Sequence, residues 1–443
     1  MKTFKIGGVH PEERKLTANI PVEKLPLPKT VSIPLSQSLG APSKLLIEKG
    51  MKVKTGQIIA RGESFISSNV HSTVSGTVIK IEDVTDASGY RKPAVIIEVE
   101  GDEWEESIDR SSDLVTEITL SKEEIIARIK DLGIVGLGGA TFPTHVKMMV
   151  PADKKAEVLI INGVECEPYL TSDHRVMLER AEEVITGVRI LMIALNVDKA
   201  VIGIENNKPD AINTLTKLAL KYPGISIVAL KVKYPQGGEK QLIQAITKRE
   251  VPSGKLPIET GCIVNNVGTA LAVYEAVQKN KPLIERVVTV TGESLVKPGN
   301  YKVRIGTSVE FLVEQAGGLP ADTGKIVSGG PMMGKALTSL NVPVVKGTSG
   351  IMVVPQKNSH RVEIQNCIRC GRCIMVCPMG LQPINLFQYS FHQMYEEAEK
   401  AFIMDCMECG SCQYTCPSGR PLLDYVRLGK EKVGNIIRNR VKN

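Results

Sequence analysis

The chain has 443 residues, 42% hydrophobic and 23% charged, which suits a globular protein of about three or four domains. Its longest apolar run, Val184 to Val197, is too short to span a membrane and is interrupted by Arg189, and Met1 to Glu13 lacks the apolar core of a signal peptide. A net charge of +7 with 4% aromatic residues, and no basic patch interleaved with stacking rings, argues against nucleic-acid binding.

Residues 29 to 100 read as all-β. Val31, Ile33 and Leu35 alternate with polar residues, and short apolar runs follow at 53–60, 71–81 and 95–97. The phrases Val53-Lys-Thr-Gly-Gln57-Ile-Ile-Ala60 and Ser75-Gly-Thr-Val78 resemble the two halves of a biotinyl/lipoyl-type barrel. A carrier domain needs a lysine at the hairpin between those halves, and Arg61 to Ile79 contains none. The barrel is therefore expected to be a scaffold without a prosthetic group.

From Ser121 the period changes. Ser121-x-x-Glu124 is a capping box, Ile125, Ile126, Ile129 and Leu132 mark one helical face, and Gly133 suits the position after the helix. Strands are then expected at 158–161, 200–204, 225–230 and 262–264, alternating with helices at 175–195, 209–220, 239–247 and 269–278. Such alternation predicts a mostly parallel sheet covered by helices. Folds of this kind bind ligands beyond the carboxyl ends of their strands. Four polar phrases fall there: the glycine-rich turn Gly136-Leu-Gly138-Gly139-Ala140-Thr-Phe142-Pro143, Asn162-Gly-Val-Glu165-Cys-Glu167-Pro168, Tyr234-Pro-Gln-Gly237-Gly238-Glu239 with Lys255 beyond it, and Asn265-Asn266-Val-Gly-Thr269. Glycines let backbone N–H groups approach phosphate closely, although a glycine-rich turn alone is equally a structural turn.

Residues 285–355 open on the strand-like Arg286–Gly292 and continue through a helix-like stretch, 307–316. Gly329-x4-Gly334-Lys335 imitates a P-loop, but Ala336 stands where Mg²⁺ needs a hydroxyl. Cys166 and Cys262 are expected to be packed core residues, and the histidines never fall at metal-ligand spacing.

The remaining eight cysteines form one phrase twice: Cys367-x2-Cys370-x2-Cys373-x3-Cys377-Pro378 and Cys406-x2-Cys409-x2-Cys412-x3-Cys416-Pro417. This is the spacing of a pair of [4Fe–4S] clusters, in which each run gives its fourth thiolate to the other cluster. The expected sets are Cys367, Cys370, Cys373 and Cys416 for one, and Cys406, Cys409, Cys412 and Cys377 for the second. Zinc, the alternative, pairs CxxC knuckles across longer loops. Beyond Arg427 the chain carries Lys430, Lys432, Arg438, Arg440 and Lys442 against Glu431, and reads as a solvated basic tail or, alternatively, a docking patch for an acidic partner or membrane surface.

In chain order, the four central phrases resemble the flavin- and NADH-binding 51 kDa subunit family of complex I. By that resemblance, Gly136, Gly138, Gly139, Asn162, Tyr234, Lys255, Asn265, Asn266 and Thr269 would hold FMN, and Phe142, Glu165 and Glu167 would serve NAD(H), with Glu239 left of the family's acidic pair. The chain departs from that family at Leu137 (Arg in the relatives), Val164 (an acid) and Gly238 (the first Glu of the pair). Residues 285–355 resemble the soluble-ligand-binding β-grasp (SLBB) module that follows the flavin domain there.

The order of modules resembles the C subunits of the Rnf electron transport complex. The organisation this implies is multidomain α/β plus β. A barrel-sandwich domain (1–115) precedes a Rossmann-like FMN/NADH domain (116–283) and a β-grasp module (284–356). A helical two-[4Fe–4S] ferredoxin-type module (357–426) and a basic tail (427–443) follow. The implied function is the NADH-handling part of a membrane ferredoxin:NAD⁺ oxidoreductase that moves Na⁺ or H⁺. Hydride would pass through bound FMN rather than a catalytic side chain. Its partners would be the other subunits and ferredoxin, direct or through a cluster-bearing subunit, and its place the cytoplasmic face of the membrane, held peripherally. The alternatives are a related cobalamin reductase and a cluster scaffold with a degenerate flavin site.

Overall fold

The structure, a computed structural model, describes residues 1–442, with side chains through Arg440. Its centre is a four-stranded parallel sheet in the spatial order Ile225–Leu230, Ala200–Glu205, Val158–Asn162, Cys262–Asn266. Successive residues of a strand face opposite sides, and this sheet is apolar on both. Leu159 and Ile161 enter the larger core with the helices Ala181–Leu195 and Val267–Lys279. Ile160 turns the other way, onto Leu242, Ile243 and Ile246 of the helix Glu239–Thr247. In sequence order the strands run third, second, first, fourth. The order therefore reverses between Val158–Asn162 and Cys262–Asn266, a topological switch point. The register there places Asn162 opposite Asn266.

The helix expected near residue 121 spans Lys122–Asp131 and has the full capping box, Glu124 N–H donating to Ser121 while the Glu124 carboxylate accepts from the Ser121 N–H. Ile125 and Ile129 are completely buried, each stabilising the fold by about 1.5–3 kcal/mol. The single helix read over 175–195 is two, Ser172–Glu179 and Ala181–Leu195, broken at Arg180 with φ −127°. Arg180 sits at the break because its guanidinium reaches Glu183 and, at 3.3 Å, Glu275.

The barrel proper uses residues 30–99. One antiparallel sheet orders Thr30–Pro34, Arg91–Val99, Gly76–Thr85 and Lys52–Val53, and a smaller one Lys44–Leu45, Ile58–Arg61 and Val70–His71. Both close on one core of Val31, Ile33, Ile59, Val78 and Ile97. The hairpin that would carry a prosthetic group is covered over Ser67 to His71, while Glu63 to Ile66 stay exposed. Lys346, arriving from the third module, donates to Asn69 O at 2.9 Å and to Gly133 O at 2.7 Å. Burial lowers the Lys346 pKa to about 7.

The residues ahead of the first barrel strand also reach the other units. Lys2 bridges to Leu230, Val9 to Tyr234, and Val22–Lys24 pairs in parallel with Gly299–Arg304. Edge strands present unpaired N–H and C=O groups, and this segment satisfies two such edges. The third module is a six-stranded mixed sheet covered by the helix Val309–Gln315, with Ser308 as its N-cap.

The expected solvated tail is part of a helix, Leu422–Lys442. Leu422, Val426 and Val433 are buried at helical spacing, and Ile437 packs on the same core. The basic residues occupy the other faces, so a composition that reads as a charged end is one side of an amphipathic helix.

Candidate functional site

The four polar phrases converge at the switch point. The glycine-rich turn is pinned at its base, where Gly136 N–H donates to Phe142 O at 2.9 Å and Leu137 N–H to the Thr269 hydroxyl at 2.9 Å. Between these pins Gly138, Gly139 and Ala140 form the tip of the turn, with Gly139 and Ala140 exposed. Gly139 has φ +114°, with nothing within 4 Å of where a Cβ would sit, so its backbone is open to a close ligand. Thr269 is thus a support for the turn rather than a free hydroxyl.

Asn266 caps the helix Val267–Lys279, its Oδ1 accepting from Gly268 N–H at 2.8 Å, and donates through Nδ2 to Asp173 at 2.7 Å. Asn162 spans to the Tyr234 phrase, donating to Gly237 O at 2.9 Å. Asn265 is 4% exposed, and its Nδ2 has no partner. A buried donor without an acceptor is costly. A buried amide without a partner, an exposed turn backbone and a glycine without steric bulk together fit a phosphorylated flavin.

The lysine that reaches these strand ends is Lys147, whose Nζ donates to Val264 O at 2.9 Å and pairs with Glu239 at 3.0 Å. Lys255, expected here, is exposed on a loop that touches the cysteine module, where Gly254 N–H bonds Asp405 at 3.2 Å. Sequence reasoning missed Lys147 although it lies five residues after Phe142 in the same phrase. The short helix Thr144–Met148 turns it back toward the sheet.

The two glutamates are already engaged. Glu165, at φ +48°, accepts from Asp173 N–H at 2.8 Å and His174 N–H at 3.2 Å, holding the start of the helix Ser172–Glu179. Glu167 accepts from Met332 N–H at 3.1 Å and Met333 N–H at 2.8 Å. The P-loop-like turn of the third module thus does cradle an anion, and the anion is Glu167. Burial raises the Glu167 pKa to about 7. Lys15 organises the whole segment, its Nζ donating to the carbonyls of Glu165, Glu167 and Leu170 at 2.7–2.8 Å; burial lowers its pKa to about 8. Burial also raises Asp173, with the Glu165 charge adding to it.

Tyr234 does not open onto the crevice. It is 2% exposed, and its hydroxyl donates to Cys409 O at 2.8 Å. Val9, Tyr234 and Cys409 form one small core with Cys166 and Met407. On the other side Gly8 N–H donates to Val376 O at 2.8 Å, and a Cβ on Gly7 would lie 2.5 Å from the Cys377 carbonyl. Gln241 donates to Pro378 O at 3.1 Å.

The two cysteine runs fold alike. Each has a left-handed glycine after its second cysteine (Gly371 and Gly410), a one-turn helix (Arg372–Met375 and Ser411–Tyr414), and a longer helix starting at Pro383 or Leu422. Cys412 feels Cys406, Cys409 and Cys377, which raise it beyond the effect of burial, and Cys373 feels Cys416. A small apolar cavity of about 30 Å³ is lined by Cys377, Cys406, Cys409 and Cys412. Burial pushes the Cys406 thiol up to about 11, so a positively charged iron centre must draw the proton off. No group of His, Cys, Asp or Glu among the described residues has the geometry of a single-ion site. Iron–sulfur cubes take one thiolate per iron, which sets ligands at corners rather than around one point. Of the expected set Cys377, Cys406, Cys409 and Cys412, called inner here, Cys377 and Cys409 are buried; of the other, called outer, Cys367 and Cys370 are exposed.

Four family models match the chain: a RnfC barrel sandwich hybrid domain at residues 2–102, a Nuo51 FMN-binding domain at 129–275, an SLBB domain at 287–336 and a 4Fe-4S dicluster domain at 366–420. The chain is 46% identical over 404 residues, 91% of its length and 87% of the relative's, to the C subunit of the proton-translocating ferredoxin:NAD(+) oxidoreductase complex of Clostridium ljungdahlii. It is 44% identical over 433 residues, 97% of each chain, to the Na(+)-translocating counterpart of Acetobacterium woodii. Among solved structures, a chain of the NAD+-reducing [NiFe]-hydrogenase in its H2-reduced state has a similar fold, with TM-score 0.50 at 20% identity over 70% of this chain and 60% of that one.

Proposed function

Because the chain belongs to the family of C subunits of ion-translocating ferredoxin:NAD⁺ oxidoreductase complexes, we propose that it joins an NAD(H)- and FMN-binding crevice to two [4Fe–4S] sites in the order crevice, inner set, outer set. It is a subunit of a translocating oxidoreductase, with FMN and iron–sulfur clusters as cofactors and ferredoxin and NAD⁺ as the substrates of the complex. FMN supplies the exchange between a two-electron hydride and single electrons, which clusters carry one at a time.

The chain's residues supply the rest. The turn Gly136–Phe142, Lys147, Asn162, Asn265 and Asn266 would hold the flavin and its phosphate. Phe142 and Glu239 stand beside them for the nicotinamide nucleotide. Glu165 and Glu167 keep the segment between them in place, so their part in nucleotide binding is exerted through its shape. The single observation that carries the proposed order is the Tyr234 hydroxyl on the Cys409 carbonyl, which ties the crevice wall to an inner cluster ligand. Relatives named for Na⁺ and for H⁺ are about equally similar to this chain, so we place the choice of ion in other subunits. No described helix is long and apolar enough to cross a membrane, and we propose peripheral attachment at the cytoplasmic face through those subunits.

The test is anaerobic NADH titration of the FMN- and cluster-loaded protein, following flavin and cluster absorbance together. Both bands bleach if the proposal holds. Bleaching of flavin alone, or material that holds zinc in place of iron and sulfide, refutes it.

A further inference from the structure

Of the inner cysteines Cys377 and Cys409 are 8% and 7% exposed and Cys406 and Cys412 half-buried, whereas Cys367 and Cys370 of the outer set are open to solvent. Electrons therefore enter or leave the module at the outer set, and the surface there has a distinct chemistry. Val362, Ile368, Met375 and Tyr414 are 69%, 68%, 66% and 55% exposed. Large apolar side chains this exposed, on and beside the ligand runs of a redox site, mark an interaction surface. The segment 361–376 contains Arg361, Arg369 and Arg372 against one acid, Glu363. Arg361 is paired with Asp424. Arg369 and Arg372 are exposed, with no ion pair among the described residues, and flank the exposed Cys370 directly.

We propose that this apolar patch with its two free arginines is the docking surface for the next one-electron carrier, an acidic ferredoxin-type iron–sulfur protein or domain whose centre lies near its own surface. The inference rests on the crevice–inner–outer order proposed above. Apolar contact at the centre sets the distance, and the arginines select the sign of the partner and speed its approach. Interfaces of electron carriers are small and transient, which fits a patch confined to one loop and two short helices. The reaction balances without another reagent. Two reduced one-electron carriers each give one electron, and NAD⁺ with one proton leaves as NADH.

The experiment uses the full chain loaded with FMN and clusters, mixed anaerobically in a stopped-flow cell with a chemically reduced acidic two-[4Fe–4S] ferredoxin as the probe. Transfer to the wild-type protein is expected to slow steeply with salt, because exposed charges are screened. The double variant Arg369→Glu/Arg372→Glu should lower the second-order rate constant at low salt at least tenfold. Val362→Asp, which lies outside both ligand runs, should do so in the same direction. Lys217→Glu, an exposed reversal on a distant helix, should leave the rate unchanged. Iron and sulfide contents are measured on every variant, and Val362→Asp carries the test if the arginine variants lose iron. Wild-type transfer that is absent or indifferent to salt, an unchanged rate in Val362→Asp, or an equal fall in Lys217→Glu overturns the proposal. NADH reduction of the same protein reads the internal path separately. Clusters that accept electrons from NADH while ignoring these substitutions refute the docking surface alone, and clusters that NADH cannot reduce refute the path beneath it.

Discussion

Replacing Glu167 by glutamine tests the link between the crevice and the third module. The carboxylate is buried, accepts two backbone N–H groups, and has its pKa raised from 4.5 to about 7. A rise of about 2.5 units corresponds to roughly 3 kcal/mol between the two protonation states. The sign follows from proton counting. Between pH 4.5 and 7 the folded protein holds a proton that the unfolded chain has released, so this group's contribution to stability falls as pH rises through that window. It is greatest below the lower value and flat above the upper one. Glutamine does not ionise, so the variant loses this slope and gains on the wild type by about 3 kcal/mol across the window. It also presents an amide N–H to one of the two donors, a loss of about 1–3 kcal/mol above about pH 7, where the wild type offers two carboxylate oxygens. Urea denaturation at pH 5 and pH 8 measures the difference. The single tryptophan, Trp104 of the barrel, lies under the Arg304 guanidinium of the third module at 4.6 Å, so its fluorescence reports separation of the barrel from the third module as the protein unfolds. A variant whose stability tracks the wild type at both pH values would falsify the reasoning. The harsher Glu167→Ala, and Glu165→Ala beside it, should weaken the response to NADH with iron content unchanged; loss of iron would make the segment purely structural.

Lys147→Met should weaken FMN retention about tenfold or more, the worth of one charged hydrogen bond, while Lys255→Met leaves it alone; flavin released on denaturation is the readout, and the reverse result returns the phosphate contact to Lys255. Tyr234→Phe removes a buried donor from the Cys409 carbonyl, costing about 1–2 kcal/mol; flavin bleaching by NADH should persist while cluster reduction slows, and equal slowing of both sinks the idea. Cys377→Ser and Cys370→Ser should each cost one cluster, but only Cys377→Ser should stop NADH from reducing the other, as followed by electron paramagnetic resonance.

Most of the crevice was legible because its groups lie where each strand ends. Asn162, Asn265 and Asn266 follow the last apolar residue of their strands, and a parallel sheet brings such ends together whatever the loops do. Tyr234 follows a strand too, yet it is turned away by contacts with Val9 and Cys409 from distant parts of the chain. Lys255 and Lys147 are both lysines near the right phrases, and only the turn of the helix Thr144–Met148 distinguishes them. The basic end misled because charge was counted without the period of Val426, Val433 and Ile437 beneath it.

What the sequence alone determined was chemistry set by local spacing: two iron–sulfur ligand runs, a glycine-rich turn and the polar residues that close each strand. Which cysteines pack against the Tyr234 segment was decided only in the tertiary structure, where Gly7 and Gly8 meet Val376 and Cys377, and Tyr234 meets Cys409. Ligand spacing is a property of neighbouring residues, whereas burial of one near-identical half and exposure of the other depends on contacts from the far end of the chain, which no local pattern encodes.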